Sequence, residues 1–463
     1  MRLPSQRVAA AVAGIVALMG STAGAQEALG DWNGLLQVGG VELRIGVKIE
    51  PGEAGALKGS LSSPDQGPGD IPISDVRMDQ GKLSFAVPSI RGRYEGEWDV
   101  TQGGWKGRWI QGGPIPLTLA KGPVPSRARP QTPAKPYAYR EEEVAFESAP
   151  GVKLAGTLTL PEGKGPFPAA ILLSGSGPQD RDEHLLGHRP FLVLSDHLTR
   201  RGVAVLRYDD RGFAKSTGRF VDATSSDFAV DAAAAVAFLR ARSDIDPHKV
   251  GLIGHSEGGM VAPMVAAKDP RIAFMVLMAA PGVPSREVMN AQRVAVGKVY
   301  GVTPEAAARD NAAVARIDTV LATNPDWEAA KVEAARILGE ASAAAGVKPE
   351  VLMARSTMLF TPWYREFIAY DPRPNLAKLR MPVLAVNGAN DLQVVASQNL
   401  PAIREALKAN KDVTVVELPG LNHLFQTSAT GDPREYGRIE ETFAPAALKA
   451  VGDWVVARTG ARP

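Results

Sequence analysis

The sequence predicts an α/β protein: a mostly parallel sheet flanked by helices, carrying a helical insertion and preceded by a small all-β barrel or sandwich. Three observations predict it. From residue 139 onward, short and near-continuous apolar runs alternate with amphipathic stretches. The earlier part of the chain is rich instead in Gly and in alternating apolar residues, and a proline-dense stretch separates the two parts. Runs apolar on both faces suit strands covered by helices on either side, and strand-helix alternation suits parallel pairing.

The elements follow in chain order. Arg2 and Arg7, an apolar run over 8–19 and Ala23-Gly24-Ala25 before Gln26 read as a secretory signal over residues 1–25. The run is short of the ~20 apolar residues that a membrane span needs. The protein is therefore expected to be exported, periplasmic or secreted, without a stable membrane anchor. Residues 26–121 form the all-β domain, in which 41–47 is a half-buried strand. A Gly followed closely by Leu or Trp recurs at Gly34, Gly59, Gly96 and Gly107. Such a glycine lets a bulky ring lie against the backbone or bends a strand to close a barrel. Trp32, Trp98, Trp105 and Trp109 fall here, and core filling is favoured over a ligand pocket for them. Residues 122–138 hold five prolines and form a linker.

Residues 139–463 make up the α/β domain. Strands are expected at 144–147, 152–160, 169–173, 203–206, 250–253, 274–278, 383–386 and 413–418, with helices at 227–240 and 445–457 among the stretches between them. Over about 283–378 the alternation stops and only helices are read. Thr303-Pro304-Glu305 supplies a cap, a first-position Pro and an early acid, and Asp326 can cap the next helix. An all-helical insertion between two strands is expected to be a lid over a site. Its aromatic residues Trp363, Tyr364 and Phe367, with Tyr370 nearby, are the candidate substrate pocket, and core packing is their competing role.

Composition excludes several chemistries. The chain has no Cys, so a disulfide framework, a thiolate nucleophile and a Cys-ligated metal are ruled out. Formal net charge is +2, and two of the basic residues lie in the signal segment, so nothing favours nucleic acid as a partner. His184 and His188 sit four apart, but without a His-Glu-x-x-His order and with Gly187 between them. Neither a metal nor another cofactor is expected.

The chemistry is carried by Gly254-His255-Ser256-Glu257-Gly258-Gly259. In a chain with 47 glycines, G-x-S-x-G arises by chance on the order of 0.2 times, so context has to decide. The run follows a strand and precedes a helix-like stretch. A Ser on a sharp strand-to-helix turn needs small neighbours, and Gly254 and Gly258 stand where the crowding falls. A serine hydroxyl also needs a base. Of the six His, only His423 follows a late strand, in Pro419-Gly420-Leu421-Asn422-His423. His255 adjoins Ser256 and should point away from it. Asp391 follows the strand at 383–386 and can orient His423. Residues just past the carboxyl ends of parallel strands converge on one edge, so Ser256, Asp391 and His423 form a candidate catalytic set. Two backbone N–H groups should face a developing oxyanion: Glu257, which follows the Ser, and Ser176 of Ser174-Gly175-Ser176-Gly177, with Gly177 as the runner-up. Asp209-Asp210-Arg211-Gly212 reads as a structural turn rather than as catalytic groups.

The Ser174–Asp182 run, the Tyr208–Gly212 segment, the Gly254–Gly259 turn and the Asp391 and His423 loops together resemble the α/β-hydrolase superfamily. More closely, they resemble secreted bacterial esterases near its dienelactone-hydrolase and serine-aminopeptidase-like branches, which often carry an N-terminal β domain. Ser174 stands where many relatives have His. The resemblance implies an α/β-hydrolase fold with a helical lid and hydrolysis of small-molecule acyl esters. Peptidase, aminopeptidase or thioesterase activity shares the same chemistry and stays open, as does a ligand-binding protein with an inert hydrolase domain.

Overall fold

The computed structural model describes residues 28–38, 41–65, 70–125, 127–344, 346 and 356–461. The signal segment at 1–25 lies outside the described residues. The chain divides into two compact units, the first ending at Ala128 and the second taking the rest apart from Leu185–Gly187.

The first unit is a closed antiparallel barrel. Its strands are β1 (Gly30–Val38), β2 (Val41–Pro51), β3 (Leu57–Ser62), β4 (Asp70–Asp79), β5 (Lys82–Val87), β6 (Gly92–Asp99), β7 (Gly104–Ile110) and β8 (Pro114–Lys121). Each pairs with the next, and β1 closes on β8 through Trp32 opposite Lys121. Closure leaves no free sheet edge, which decides between the barrel and the sandwich that the strand pattern allows. Trp32, Trp105 and Trp109 are buried in its core, while Trp98 is partly exposed and meets Trp32 and Trp105 edge-on at 6.0 and 4.9 Å. Of the recurring glycines, Gly96 makes room for the Tyr94 phenol, as Gly92 does for the Trp109 indole, whereas Gly34 and Gly59 lie against the carbonyls of Thr118 and Lys48 on neighbouring strands.

The second unit has the α/β-hydrolase fold. Its strands are β9 (Arg140–Ala149), β10 (Val152–Leu160), β11 (Phe167–Leu173), β12 (Ala204–Tyr208), β13 (Ile245–His255), β14 (Met275–Met278), β15 (Val383–Gly388) and β16 (Val413–Leu418). The sheet order is β16-β15-β14-β13-β11-β12-β10-β9. β10 runs antiparallel to both of its neighbours, and the remaining pairs are parallel. Register aligns the carboxyl ends: Leu173 lies opposite Gly254, His255 opposite Met278, Met278 opposite Val386, and Gly388 opposite Leu418. The loops after β11, β13, β15 and β16 therefore leave one edge at nearly one level, where functional groups of open α/β sheets gather.

Helices α1 (Pro190–Thr199), α2 (Ser225–Arg240) and α3 (Gly258–Ala266) follow β11, β12 and β13. Thr224 and Asp227 form a reciprocal capping box that starts α2. Between β14 and β15 come α4 (Ser285–Val299), α5 (Pro304–Thr323), α6 (Trp327–Ala344), α7 (Pro362–Ala369) and α8 (Arg373–Leu376). Thr303 caps α5 through the Ala306 amide, and Asp326 accepts from the Ala329 amide at the start of α6. These helices bury their own cluster around Ile317, Leu321, Ile337 and Phe367, which also takes in Met260 of α3. That shared residue fixes the insertion to the helix that follows the Gly-rich turn. The chain ends with α9 (Ala396–Ala406) and α10 (Pro445–Thr459), the latter stopped by a left-handed Gly460.

Trp32→Ala removes a fully buried indole and its 2.8 Å hydrogen bond to the Ala28 carbonyl. Large-to-small changes of this kind cost ~3–5 kcal/mol. Urea unfolding followed by near-UV circular dichroism should show the barrel transition moving to lower denaturant while the α/β unit's transition stays in place.

Candidate active site

Ser256 occupies the turn between β13 and α3 with φ +53°. A non-Gly residue rarely adopts this left-handed conformation. The packing around it leaves no other route: a Cβ on Gly254 would strike the Gly258 carbonyl, one on Gly258 the Leu173 carbonyl, and one on Gly259 the Ala280 side chain. α3 can therefore start within contact of β11 and β13, and the chain must reverse inside two residues. The Ser256 amide donates to the Met278 carbonyl at 2.9 Å, and the Gly259 amide donates to the Ser256 carbonyl at 2.9 Å. Ser256 thus stands at the positive end of α3, where negative charge is favoured.

Asp391 and His423 meet on the loops after β15 and β16. His423 Nδ1 lies 2.8 Å from Asp391 Oδ2, and both residues are buried. The other carboxylate oxygen, Oδ1, accepts the amides of Gln393 (2.8 Å) and Val394 (2.9 Å). The carboxylate is held on both oxygens, so it can set the imidazole's orientation and tautomer and leave Nε2 as the working nitrogen. Among the described residues the Ser256 hydroxyl makes no hydrogen bond to His423. Contacts of this kind often tighten only when substrate binds.

The loop after β11 is anchored from two sides. Ser174 Oγ donates to Asp210 Oδ1 (3.0 Å) and the Gln179 amide to Asp210 Oδ2 (2.8 Å). The Gly175 amide donates to Glu183 Oε1 (2.8 Å). Gly175 N–H is thereby committed, which leaves the following amides, those of Ser176 and Gly177, as the loop's candidates for an oxyanion. Gly177 has φ +96°, a turn suited to Gly. The Ser174 hydroxyl, at the start of this loop, is thus held by Asp210. The neighbouring carboxylates are braces as well. Asp209 pairs with Arg181 at 2.8 Å, and Asp231 pairs with Arg211 at 2.7 Å. Full burial pushes the Asp210 carboxyl well above the usual carboxylate range.

Glu257 points its side chain into the protein. Its Oε1 accepts from Ser225 Oγ (2.5 Å) and from the Trp363 indole N–H (2.7 Å). Burial raises its pKa, and the bonds from Ser225 and Trp363 oppose that rise. Trp363 is half-buried and stacks on Phe367 at 4.8 Å, so α7 of the insertion is tied directly to the Ser256 turn. Tyr364 and Phe367 are buried in the insertion's core, with the Tyr364 hydroxyl on Asp318 at 2.7 Å. Packing accounts for those two, and Trp363 is the one of the three that reaches the turn.

Two groups escaped the sequence reading. His255 does point away from the Ser256 hydroxyl, yet its Nδ1 lies 2.8 Å from Glu183 Oε1 and its Nε2 lies 3.0 Å from the His423 carbonyl oxygen. Glu183 carried no signal beyond lying in an Asp/Glu-rich run. His188 is buried, with Nδ1 on Thr442 Oγ1 and Nε2 on the Tyr436 carbonyl, both at 2.9 Å. Among the described residues no group of three or more His, Cys, Asp or Glu could hold a metal ion, and no helix is long and apolar enough to cross a membrane.

The X-Pro dipeptidyl-peptidase (S15) family matches residues 150–425, well over half of the chain, and the chain belongs to that family. Among characterised proteins it is similar to esterase EstD of Thermotoga maritima, with 27% identity over 292 residues, covering 63% of this chain and 61% of the esterase. A thiohydrolase of Aspergillus aculeatus, aneE, is 30% identical over 135 residues, covering 29% of this chain and 40% of that protein. Less than two thirds of either relative's own length is therefore matched. Among solved structures, the Pyrococcus furiosus esterase Pf2001 aligns with TM-score 0.43 and 18% identity, covering 72% of this chain and 95% of that one. The 2,6-dihydroxy-pseudo-oxynicotine hydrolase aligns with TM-score 0.41 and 17% identity, covering 70% of both chains.

Burial, and then the charge of Arg129, pull the His188 pKa down to about 4 from its ordinary 6.5. The unfolded chain takes up this proton first as pH falls, so stability should decline from about pH 6.5 towards pH 4. Urea midpoints at pH 7 and pH 5 should differ in the native protein, and His188→Gln should narrow that difference.

Proposed function

We infer that this protein is a serine hydrolase that cleaves small-molecule carboxylic esters through an acyl-enzyme. One observation carries the reading: Ser256 is held in a left-handed turn between β13 and α3, on the same sheet edge as the hydrogen-bonded His423–Asp391 pair. The family and the similarity to an esterase support a hydrolase.

In the proposed mechanism, His423 takes the proton of the Ser256 hydroxyl as its oxygen attacks the acyl carbonyl carbon. The carbonyl oxygen becomes an oxyanion, which the amides of Glu257 and Ser176, or of Gly177 in place of Ser176, stabilise. The intermediate collapses, the bond to the alcohol breaks, and His423 delivers its proton to the departing oxygen. Water then gives its proton to His423 and attacks the acyl-enzyme, which releases the acid and returns the proton to Ser256. Asp391 holds the tautomer and stabilises the imidazolium. Trp363, bonded to Glu257 beside the nucleophile, forms one wall of the substrate pocket. No cofactor takes part. Residues 1–25 direct export to the periplasm or medium.

A second reading, peptide hydrolysis, is favoured by the S15 family match, since amide and ester cleavage share these groups. A fluorophosphonate probe should label the purified protein and leave Ser256→Ala unlabelled; an unlabelled native protein would overturn the serine-hydrolase reading. Asp391→Asn should lower kcat about 10⁴-fold, as expected when the imidazole takes the wrong tautomer. Turnover of p-nitrophenyl acyl esters should exceed that of aminoacyl and X-Pro nitroanilides, and faster anilide cleavage would replace the esterase by a peptidase.

A further inference from the structure

We propose that His255 and Glu183 form a positioning pair that locks the oxyanion loop to the loop carrying His423, and so sets the distance across the active site. The inference rests on the serine-hydrolase reading for its kinetic consequence but not for its geometry.

Glu183 Oε1 accepts two hydrogen bonds, one from the Gly175 amide and one from His255 Nδ1, each 2.8 Å long. His255 Nε2 reaches the backbone carbonyl of His423 at 3.0 Å. A continuous chain of bonds therefore runs from the loop after β11, through the residue before Ser256, to the loop after β16. Both partners of the imidazole are oxygen acceptors, one a carboxylate and one a carbonyl. His255 therefore uses both ring nitrogens, Nδ1 towards Glu183 and Nε2 towards the His423 carbonyl, and neither is left free to face another partner. Both bonds are buried, where a hydrogen bond is electrostatically stronger than in water. Burial alone would lower the His255 pKa, but the Glu183 charge and hydrogen bond outweigh it and the pKa is raised.

Two further observations single out this pair. Glu183 has φ +53°, a backbone conformation unfavourable to Glu that the surroundings must hold in place. Gly175 lies so close that a Cβ there would sit 3.3 Å from both Glu183 Oε1 and the Ser256 Cβ. The Glu183 carboxylate, the Ser256 side chain and the oxyanion loop thus share one tight contact. His255 and His423 are also neighbours ring to ring, 4.9 Å between centroids. Neither His255 nor Glu183 touches the reacting atoms, and both act through the groups they hold.

The test uses His255→Gln, His255→Ala and Glu183→Gln in the full-length protein, each checked for a native melting transition. Hydrogen–deuterium exchange of peptides covering 174–177 and 419–426 reads the lock directly, without reference to any substrate. Exchange should accelerate in both peptides together in each variant. Ester turnover should fall ~10- to 100-fold in kcat with little change in KM, the cost expected of a misplacement near 1 Å. The double variant Glu183→Gln/His255→Gln should be no slower than the worse single one, because the two act as a unit. His255→Gln, which keeps a donor for the His423 carbonyl, should retain more activity than His255→Ala. Unchanged exchange in both loops, or additive losses in the double variant, would overturn the inference. If the native protein shows no turnover but the exchange result holds, the hydrolase reading fails and the lock stands. Should His255→Ala fail to fold, Glu183→Gln, which is nearly isosteric, decides the matter.

Discussion

The close approach of α3 to strands β11 and β13 is the constraint on which the site depends. At Gly254 and Gly258 the helix start lies against backbone carbonyls with no space for a methyl group. The connection is therefore too short for an ordinary turn, and Ser256 is driven to positive φ. Such strain costs of order 1–3 kcal/mol and persists only where the surroundings over-determine it. Here they do: the Ser256 amide is bonded to β14, the Gly259 amide returns to the Ser256 carbonyl, and the buried α3 is held under the insertion through Met260. The same contact brings Gly258 against the end of β11, and so brings the loop after β11 alongside Ser256.

Around that fixed point, buried carboxylates act as anchors for loops. Glu183 holds Gly175, Asp210 holds Ser174 and Gln179, Asp391 holds His423 together with two of its own loop's amides, and Glu257 holds Ser225 and Trp363. Burying a carboxyl is costly unless hydrogen bonds compensate, and each of these acids accepts at least two. The loops are thereby given defined positions at the sheet edge, where backbone alone would leave them mobile. Trp363 extends the scheme to the insertion, because its indole N–H shares Glu257 Oε1 with Ser225.

Much of this was legible in the chain because it depends on local order. Strand positions follow from contiguous apolar runs, and the loop after each strand inherits its place from the sheet. Ser256, Asp391 and His423 could therefore be picked out individually from what precedes them. The anchoring groups could not. Glu183 and His255 are 72 residues apart, and Ser174 and Asp210 are 36 apart. Nothing in their local context separates them from surface charges or a turn. His255 could be read only as pointing away from Ser256, and the direction it takes instead, towards Glu183 and the His423 carbonyl, is a matter of packing. Tyr364 and Phe367 illustrate the same limit, since an aromatic cluster at helical spacing suits a pocket and a core equally, and contact with Ile317, Leu321 and Asp318 places them in the core.

Sequence by itself determined the succession of elements, the sharp turn at Ser256 and the strand-end positions of Asp391 and His423, because periodicity and glycine placement act over a few residues. The tertiary structure alone decided that the first unit closes into a barrel, that Ser174 is supported by Asp210, and that His255 and Glu183 join two loops. Those outcomes depend on which strands become neighbours and on which buried donor meets which buried acceptor. A buried polar atom must find a partner, but the chain does not say which one until the sheet has assembled.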